Sequence, residues 1–502
     1  MRLFETVLIL VNLLSLLLTL KKQPKAVWWG MVGGNLLAFL IHGIFEGLRY
    51  QMAFSYTFVV LIVLFTWIKT NTRLYSSHTP KILKGAALLL SFVSLVFTSF
   101  LAYALPVFAL SKPTGSYDVG IQYFHWIDEN RTDPFLDGST QKRELMVKVY
   151  YPAADDPAKP YASYFHDLRL IRLFTAFYHL PEFAFDHLRL VKTNSKEGLQ
   201  VSDRQQSYPV ILFSHGAGTT MEVQTSQSED LASHGYIVVA IDHTYVSVGT
   251  VFPDRIVSHH EATTDFKTVE PAEIITQIMA DDSRFMIDRL GEMNDGKIDS
   301  LFQGRLDLEK IGAIGHSVGG AVAYNLAINE PRVKAAIDLD GVVFITPEDA
   351  TEMAPFLMLA TDRDHLQAIQ NREPLMKSFA DIDELDQKIT IEIHGSEQAY
   401  NEAYNRAQQN VMELAEVLEN SGNLFTIEGS DHMKYTDIGL FIGMPQLREL
   451  INIRGETDPA RCLEITQALT LAFFDQHLKG GEGNSLEFLV EKYAELQKVD
   501  LK

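Results

Sequence analysis

The stretch Gly315-His316-Ser317-Val318-Gly319 decides the fold of this chain. It lies between an apolar run, Ile311–Ile314, and a run of helix-forming composition that begins at Gly320. A serine between two glycines at a strand-to-helix turn is typical of a nucleophile elbow, in which a tight, strained turn exposes the hydroxyl above a sheet. The stretch therefore predicts an α/β sheet that carries a reactive serine, Ser317.

Short apolar runs before and after this stretch predict the other strands. They are rich in Val and Ile, and helix-like stretches separate most of them, which is typical of a buried and mostly parallel sheet. In such sheets the functional site forms at the carboxyl ends of the strands, so we expect functional side chains directly after these runs. The predicted strands are Leu145–Tyr151, Pro209–Ser214, Tyr236–Ile241, Ile311–Ile314, Val333–Leu339, Phe356–Ala360 and Leu424–Ile427.

Polar side chains follow several of these strands in the order serine, acid, histidine. Ser317 and Asp340 each follow a predicted strand, and His432 follows the last one. This is the order in which α/β-hydrolases carry nucleophile, acid and base. Asp364 follows the strand after that of Asp340 and is a second candidate for the acid, because either carboxylate could reach the histidine. Asp340 is preferred, and Asp364 stays open.

A second glycine-rich stretch, Ser214-His215-Gly216-Ala217-Gly218, follows an early strand and predicts part of an oxyanion hole. Its glycines keep the backbone open to a substrate. The amide N–H of Ala217 and that of Val318, directly after Ser317, are therefore expected to point at an oxyanion that develops on the substrate.

The distribution of charge limits the classes of function. The whole chain of 502 residues has a formal net charge of −21, although residues 1–110 contain nine basic and only two acidic residues. The part after residue 110 is therefore strongly acidic, which argues against nucleic-acid binding, since that needs a basic face. Cys462 is the one cysteine, so an intrachain disulfide and a cysteine-rich zinc site are excluded.

Four apolar segments precede residue 111, each close to the roughly 20 residues that a helix needs to cross the hydrocarbon core. No small-residue cleavage site follows the first one, so it is not predicted to be a signal peptide. We expect a module of four transmembrane helices over residues 1–110, a linker at Ser111–Gly115 and a hydrolase domain over residues 111–502. The four segments are Leu3–Leu20, Ala26–Phe45, Met52–Ile68 and Gly85–Leu110.

The loops between these segments differ in charge. The first contains three lysines and the third contains four basic residues, among them Arg73, whereas the second contains only Glu46 and Arg49. By the positive-inside rule the first and third loops are cytoplasmic. Both termini then lie outside, so we predict a multi-pass protein of the cell membrane with its catalytic domain on the extracytoplasmic side.

Several motifs together resemble one family, the plasma-type platelet-activating-factor acetylhydrolases and their bacterial relatives. The resemblance covers roughly Val147 to Leu478, and its motifs are specific as an ordered set. They are Phe213-Ser214-His215-Gly216-Ala217-Gly218, Leu231-Ala232-Ser233-His234-Gly235-Tyr236, Gly315-His316-Ser317-Val318-Gly319-Gly320, Ala335-Ala336-Ile337-Asp338-Leu339-Asp340-Gly341 and Gly429-Ser430-Asp431-His432.

The resemblance implies an α/β-hydrolase fold with Ser317 as nucleophile, Asp340 as acid, His432 as base and oxyanion amides at Ala217 and Val318. It also implies a calcium-independent serine esterase that acts on short or oxidised acyl esters of phospholipids, with no cofactor and no metal ion. The expected partners are a lipid or small-molecule ester and the membrane. Two departures bear on the substrate: the stretch between acid and base is longer than expected, and the secreted members lack the apolar module.

Two other interpretations stay open. A generic short-chain carboxylesterase, or an enzyme similar to dienelactone hydrolases, would use the same residues on a different ester. A catalytically inactive binding module tethered to a membrane bundle would have no need for Ser317, so labelling of that serine by a fluorophosphonate separates the module from an enzyme. The sequence leaves the acyl-chain length, the headgroup and the oligomeric state open.

Overall fold

A computed structural model describes residues 1–71, 81–263, 271–342, 353–481 and 485–501. The contacts within the chain divide it into two compact units, each of which collects segments that are distant in sequence. The first unit consists of Met1–Ala109, Tyr178–Val191 and Phe441–Ile451, and the second consists of Leu110–Phe177, Lys192–Leu440 and Asn452–Lys502.

The first unit is built on four apolar helices, α1 (Leu3–Thr19), α2 (Lys25–Phe45), α3 (Ala53–Thr70) and α4 (Lys81–Ala104). Three apolar stretches are long enough to cross a membrane. They are α2 with 21 residues, α3 together with the 3-10 turn before it with 21 residues, and α4 with 24 residues. α1 has 17 residues, fewer than the roughly 20 that a span needs. The structure thus supports three of the four expected spans. Arg73, which contributed to the orientation argument, lies outside the described residues.

The second unit is organised around one large sheet. Its central strands bury almost every side chain, as expected from their continuous apolar runs. In chain order the strands of the unit are β1 (Asp118–Thr132), β2 (Lys142–Ala153), β3 (Tyr161–Ser163), β4 (Lys192–Glu197), β5 (Tyr208–Ser214), β6 (Ile237–Asp242), β7 (Gly249–Val251), β8 (Ile256–Ser258), β9 (Leu306–His316), β10 (Val333–Leu339), β11 (Phe356–Thr361), β12 (Leu424–Ile427) and β13 (Leu496–Lys498).

Helices connect and cover these strands. Their bounds are α5 (Leu168–Phe177), α6 (Thr225–Ser233), α7 (Pro271–Asn294), α8 (Val318–Asn329), α9 (Asp364–Asn371), α10 (Glu384–His394), α11 (Glu397–Ser421), α12 (Pro445–Leu450), α13 (Pro459–Leu478) and α14 (Leu486–Lys492). α12 lies in the first unit and the others in the second. The long stretch between Asp340 and His432 contains α9, α10 and α11.

The order of the strands in the large sheet is β13-β12-β11-β10-β9-β5-β6-β2-β1-β4-β3 over the described residues. The six strands from β12 to β6 run parallel, which confirms the expected mostly parallel sheet. The strands β13 and β2 join this parallel block in the antiparallel sense. All seven predicted strands are present, and β10 and β12 have the predicted bounds.

Backbone hydrogen bonds place two predicted functional positions, Ser317 and Asp340, on neighbouring strand ends. Ser317 follows β9, and its N–H donates to the carbonyl of Leu339 at the end of β10, at 3.0 Å. Asp340 follows β10, and its N–H donates to the carbonyl of Leu359 in β11, at 2.9 Å. The candidate nucleophile, the candidate acid and the end of β11 therefore share one edge of the sheet, where the carboxyl ends of parallel strands meet.

Candidate active site

Ser317 has the backbone of a nucleophile elbow. Its φ is 58° and its ψ is −125°, a conformation that a residue with a side chain adopts only when its surroundings force it. The flanking glycines permit this tight turn, because a Cβ on Gly315 would lie 2.0 Å from the carbonyl oxygen of Gly319. A Cβ on Gly319 would lie 2.1 Å from the carbonyl oxygen of Ser214. The sequence at both positions is therefore fixed by the turn.

His432 and Asp340 are in hydrogen-bond contact. The Nδ1 atom of His432 lies 2.7 Å from Oδ2 of Asp340. With an ionised carboxylate, Nδ1 carries the hydrogen and donates it, which leaves Nε2 of His432 as a proton acceptor. The acid is buried whereas the histidine is 34% exposed, so the imidazole can exchange protons at a site that substrate can reach.

The carboxylate of Asp340 has two further donors. The Nδ1 atom of His365 lies 2.7 Å from Oδ1 of Asp340, and the backbone N–H of Thr361 donates to the same oxygen at 2.7 Å. Burial by itself would raise the pKa of Asp340, but the charges and hydrogen bonds of the two histidines outweigh it and hold the pKa well below its usual range. Asp340 is therefore an anion, and hydrogen-bond donors at both of its carboxylate oxygens fix its orientation.

The sequence analysis did not select His365. It directly follows Asp364 after β11, at the edge of the sheet where functional side chains were expected, so the signal was present. Burial by itself would lower the pKa of His365, but Asp340 raises it through its charge and its hydrogen bond. Asp364, the alternative acid, begins α9 with an exposed side chain and makes no hydrogen bond to His432 within the described structure.

His316, next to the serine, holds the loop of the candidate base. It is fully buried, and its Nε2–H donates to the carbonyl oxygen of His432 at 2.8 Å. Burial, assisted by the charge of His432, lowers the pKa of His316 to about 3. This imidazole is therefore neutral near neutral pH and acts as a fixed hydrogen-bond donor.

The stretch predicted to carry the oxyanion hole passes close to Ser317. A Cβ on Gly216 would lie 3.0 Å from Cβ of Ser317, so a side chain at this position would crowd the serine. Among the described residues, no acceptor takes the backbone N–H of Ala217 or that of Val318. The two amides selected from the sequence are therefore available as donors on the loop beside Ser317 and at the start of α8.

A buried chain of side chains lies behind this loop and has the composition of a second Ser-His-Asp triad. Nε2 of His243 lies 3.1 Å from Oγ of Ser214, and its Nδ1 lies 3.0 Å from Oδ2 of Asp282. The carboxylate of Asp282 also forms an ion pair with Arg143 at 2.7 Å. All four side chains are buried, so this group lies in the interior, next to the strand end that precedes the loop predicted to carry the oxyanion hole.

The candidate triad opens into a cavity of about 350 Å³. Charged side chains of both signs stand at its rim. The lining residues are Ser317, Val318, Asp340, Val342, Thr361, Asp362, Arg363, Asp364, His365, Leu375, Ser430, Asp431, His432 and Arg454. The candidate nucleophile, acid and base therefore share one cavity.

Asp340, His365 and His432 also satisfy the distance criterion for a metal-binding group, since one potential ligand atom from each lies within 4.8 Å of the others. The contacts are those of two imidazole N–H groups that donate to one carboxylate at 2.7 Å. A metal ion at this position would displace both of these hydrogens. The present arrangement fits a hydrogen-bonded triad better than a metal centre.

The chain matches known proteins over most of its length. The sequence model of a family described as platelet-activating factor acetylhydrolase, isoform II, matches residues 105–270 and 268–491. The platelet-activating factor acetylhydrolase of Cavia porcellus is 22% identical over 407 residues, which cover 76% of this chain and 80% of the relative. A probable 1-alkyl-2-acetylglycerophosphocholine esterase of Arthroderma benhamiae is 24% identical over 245 residues, which cover 47% of this chain and 59% of the relative.

A solved structure is similar as well. The ferulic acid esterase from Streptomyces cinnamoneus superimposes with a TM-score of 0.56 at 25% sequence identity, and the match covers 78% of this chain and 99% of the esterase. The sheet, its strand order and its covering helices therefore belong to the α/β-hydrolase type.

Proposed function

Because this chain belongs to the isoform II family of platelet-activating factor acetylhydrolases and is a carboxylic ester hydrolase, we propose that Ser317, His432 and Asp340 form its catalytic triad. The proposed substrates are phospholipids with a short or oxidised acyl ester. The observation that carries the proposal is the 2.7 Å hydrogen bond between His432 and Asp340 on the cavity that Ser317 lines.

The reaction proceeds by acyl transfer in two steps. His432 Nε2 takes the proton of the Ser317 hydroxyl as its oxygen attacks the ester carbonyl, and the alcohol leaves with that proton. Asp340 keeps the hydrogen of His432 on Nδ1 and stabilises the imidazolium that forms. Water, deprotonated by the same imidazole, then attacks the acyl-enzyme, and the imidazolium returns the proton to the Ser317 oxygen as the acid leaves. Every proton in this cycle moves between the substrate, water and the chain's own side chains.

The negative charge on the carbonyl oxygen is held by backbone donors. The N–H groups of Ala217 and Val318 are proposed as the oxyanion hole, and one such donor typically contributes about 3 kcal/mol to the transition state. The positions of the loop and of α8 support this assignment, because both amides flank Ser317 and have no other acceptor within the described residues.

The cavity supports a short acyl group. Its volume of about 350 Å³ lies at the lower end of the roughly 300–1,000 Å³ that is usual for ligand sites. Arg363 and Arg454 line it together with Asp362 and Asp431, so both charges of a zwitterionic headgroup would find partners at the rim.

A carboxylesterase for small alkyl or aryl esters is the second candidate, because the similar solved structure is a ferulic acid esterase. A panel of esters separates the two candidates. The full chain in mild detergent is offered 1-alkyl-2-acetyl-glycerophosphocholine, its long-chain 2-acyl analogue, p-nitrophenyl esters of increasing length and methyl ferulate, with Ser317→Ala as the blank. Preference for the 2-acetyl phospholipid over its long-chain analogue supports the first candidate, and preference for methyl ferulate supports the second.

For the membrane we propose that α1 is a fourth span beside the three that are long enough, so that residues 1–110 form an anchoring module and residues 111–502 the hydrolase domain. With the lysine-rich loops in the cytoplasm, the hydrolase domain lies on the extracytoplasmic side. Protease added to intact cells should digest the domain in this orientation and should leave it intact if it faces the cytoplasm.

A further inference from the structure

The membrane module contains a cavity that the ester chemistry does not use. It has a volume of about 850 Å³ and lies among the ends of α1, α3 and α4 that face the first and third loops. Leu16, Phe58 and Leu88 contribute to its apolar wall. The cavity lies wholly within the first compact unit.

Four lysines, Lys21, Lys22, Lys69 and Lys84, line this cavity, and no acidic residue is among the described residues that line it. Within the described parts of the chain, none of these lysines forms an ion pair. Lys69 and Lys84 line the same cavity, so like charges lie near one another with no counter-ion among the described residues. Lys21, Lys22 and Lys84 are exposed, so water screens part of their repulsion, and an anion bound among them would be attracted by all four charges.

Trp28 adds a hydrogen-bond donor to the same cavity. Its side chain is 2% exposed, and its Nε1–H has no acceptor among the residues that the structure describes. Lys69 Nζ lies 4.0 Å from the centre of the Trp28 ring, which places a cation directly beside this buried donor. A buried N–H without an acceptor is rare in folded proteins, and an oxygen-rich ligand would satisfy it.

We propose that this cavity binds an anionic glycerophospholipid, with its phosphate among the four lysines and an acyl chain along the apolar wall. The two halves of the cavity match the two halves of such a molecule, whereas free phosphate would leave the apolar wall uncovered. The proposal rests on the membrane orientation given above, which places the lysines in the leaflet where anionic lipids attract basic segments.

The test is a lipid-binding titration of the full chain purified in mild detergent, with native mass spectrometry as the readout. The probes are dioleoylphosphatidylglycerol, dioleoylphosphatidylcholine and inorganic phosphate. The variants are Lys69→Gln/Lys84→Gln at the cavity and Lys25→Gln/Lys81→Gln as the matched control, since the control lysines begin α2 and α4 and lie outside the lining. Ala87→Trp fills the cavity without a change in charge, and Ala86→Trp, outside the lining, is its control.

The proposal predicts one phosphatidylglycerol that binds more tightly than phosphatidylcholine and that phosphate does not displace. Each lysine near an anionic lipid contributes about 1 kcal/mol, so Lys69→Gln/Lys84→Gln should weaken binding about 30-fold. Ala87→Trp should weaken it as well, and the two controls should stay within about threefold of the wild type. Three results would each overturn the proposal: an equal loss of phosphatidylglycerol affinity in the two lysine double variants, equal affinity of the wild type for both lipids, or displacement of the lipid by phosphate.

Two readouts keep this result apart from the other proposals. Ester hydrolysis by the wild-type preparation reports on the catalytic proposal alone. Extraction of wild-type membranes with alkaline carbonate reports on insertion, because release of the chain contradicts the membrane module itself. If the wild type stays in the membrane but binds phosphatidylglycerol no more tightly than phosphatidylcholine, the lipid site alone is contradicted.

Discussion

The exchange Asp340→Asn distinguishes the two candidate acids, and the structure fixes what the amide must do. Oδ1 of Asp340 accepts from both Thr361 and His365, while Oδ2 accepts from His432. An asparagine at this position keeps its oxygen toward the two donors on the Oδ1 side. Its NH₂ group then faces His432 and obliges Nδ1 to accept a hydrogen bond, which moves the ring hydrogen to Nε2.

A histidine with its hydrogen on Nε2 cannot take the serine proton. The expected loss in kcat is therefore about 10⁴-fold, the size found when a triad acid is replaced by its amide and the wrong tautomer results. The matched control is Asp364→Asn, which removes the same charge from the rim of the same cavity, and it should change kcat by less than about threefold, as surface charges far from a triad contact do.

The assay is steady-state hydrolysis of p-nitrophenyl acetate by the full chain in detergent, with the melting temperature of each variant as a check on folding. A folded Asp340→Asn variant with less than a tenfold loss, or an Asp364→Asn variant with the larger loss, would refute the assignment of the acid. Equal losses in the two variants would refute the tautomer argument.

Three further outcomes follow from the contacts. His365→Gln should lower the melting temperature most near pH 6, because the pKa of His365 is raised in the folded chain; the stabilisation is complete below the unfolded value of about 6.5 and fades as pH rises through the folded value. Gly319→Ala should abolish hydrolysis, since the methyl group would lie 2.1 Å from a carbonyl oxygen, whereas Gly291→Ala, with its nearest atom at 4.0 Å, should leave kcat unchanged and stabilise its helix by up to about 1 kcal/mol. Burial raises the pKa of Asp338 to about 7. Between about pH 4 and pH 7 the wild type should therefore lose up to about 4 kcal/mol of its free energy of unfolding in urea, a loss that Asp338→Asn should not show. Identical pH profiles for these two proteins, or an active Gly319→Ala variant, would contradict these expectations.

The sequence predicted the centre of the sheet well because each buried parallel strand is a continuous apolar run. It also placed Ser317, Asp340 and His432 at strand ends, and the structure brings the last two into hydrogen-bond contact. Their catalytic roles are proposals. β1 escaped prediction because its inward and outward positions mix polar and apolar residues, as its half-buried pattern shows.

Long-range contacts account for the rest. The hydrogen bond between His243 and Asp282 joins the region after β6 to the middle of α7. Neither local periodicity nor a sequence motif predicts this contact. Likewise, Tyr178–Val191 and Phe441–Ile451 belong to the same compact unit as the amino-terminal helices, although hundreds of residues separate the second segment from those helices in the sequence. The choice between Asp340 and Asp364 was open in sequence because both follow strands, and only atomic positions separate them.

The central claim is that Ser317 is the residue that becomes acylated. Reaction of the full chain with a fluorophosphonate, followed by digestion and mass spectrometry of the peptides, locates the modified side chain directly. We predict a single adduct on Ser317, with none on Ser214, whose hydroxyl is buried against His243. An adduct on Ser214 or on another serine, with Ser317 unmodified in protein that still hydrolyses esters, would contradict the account.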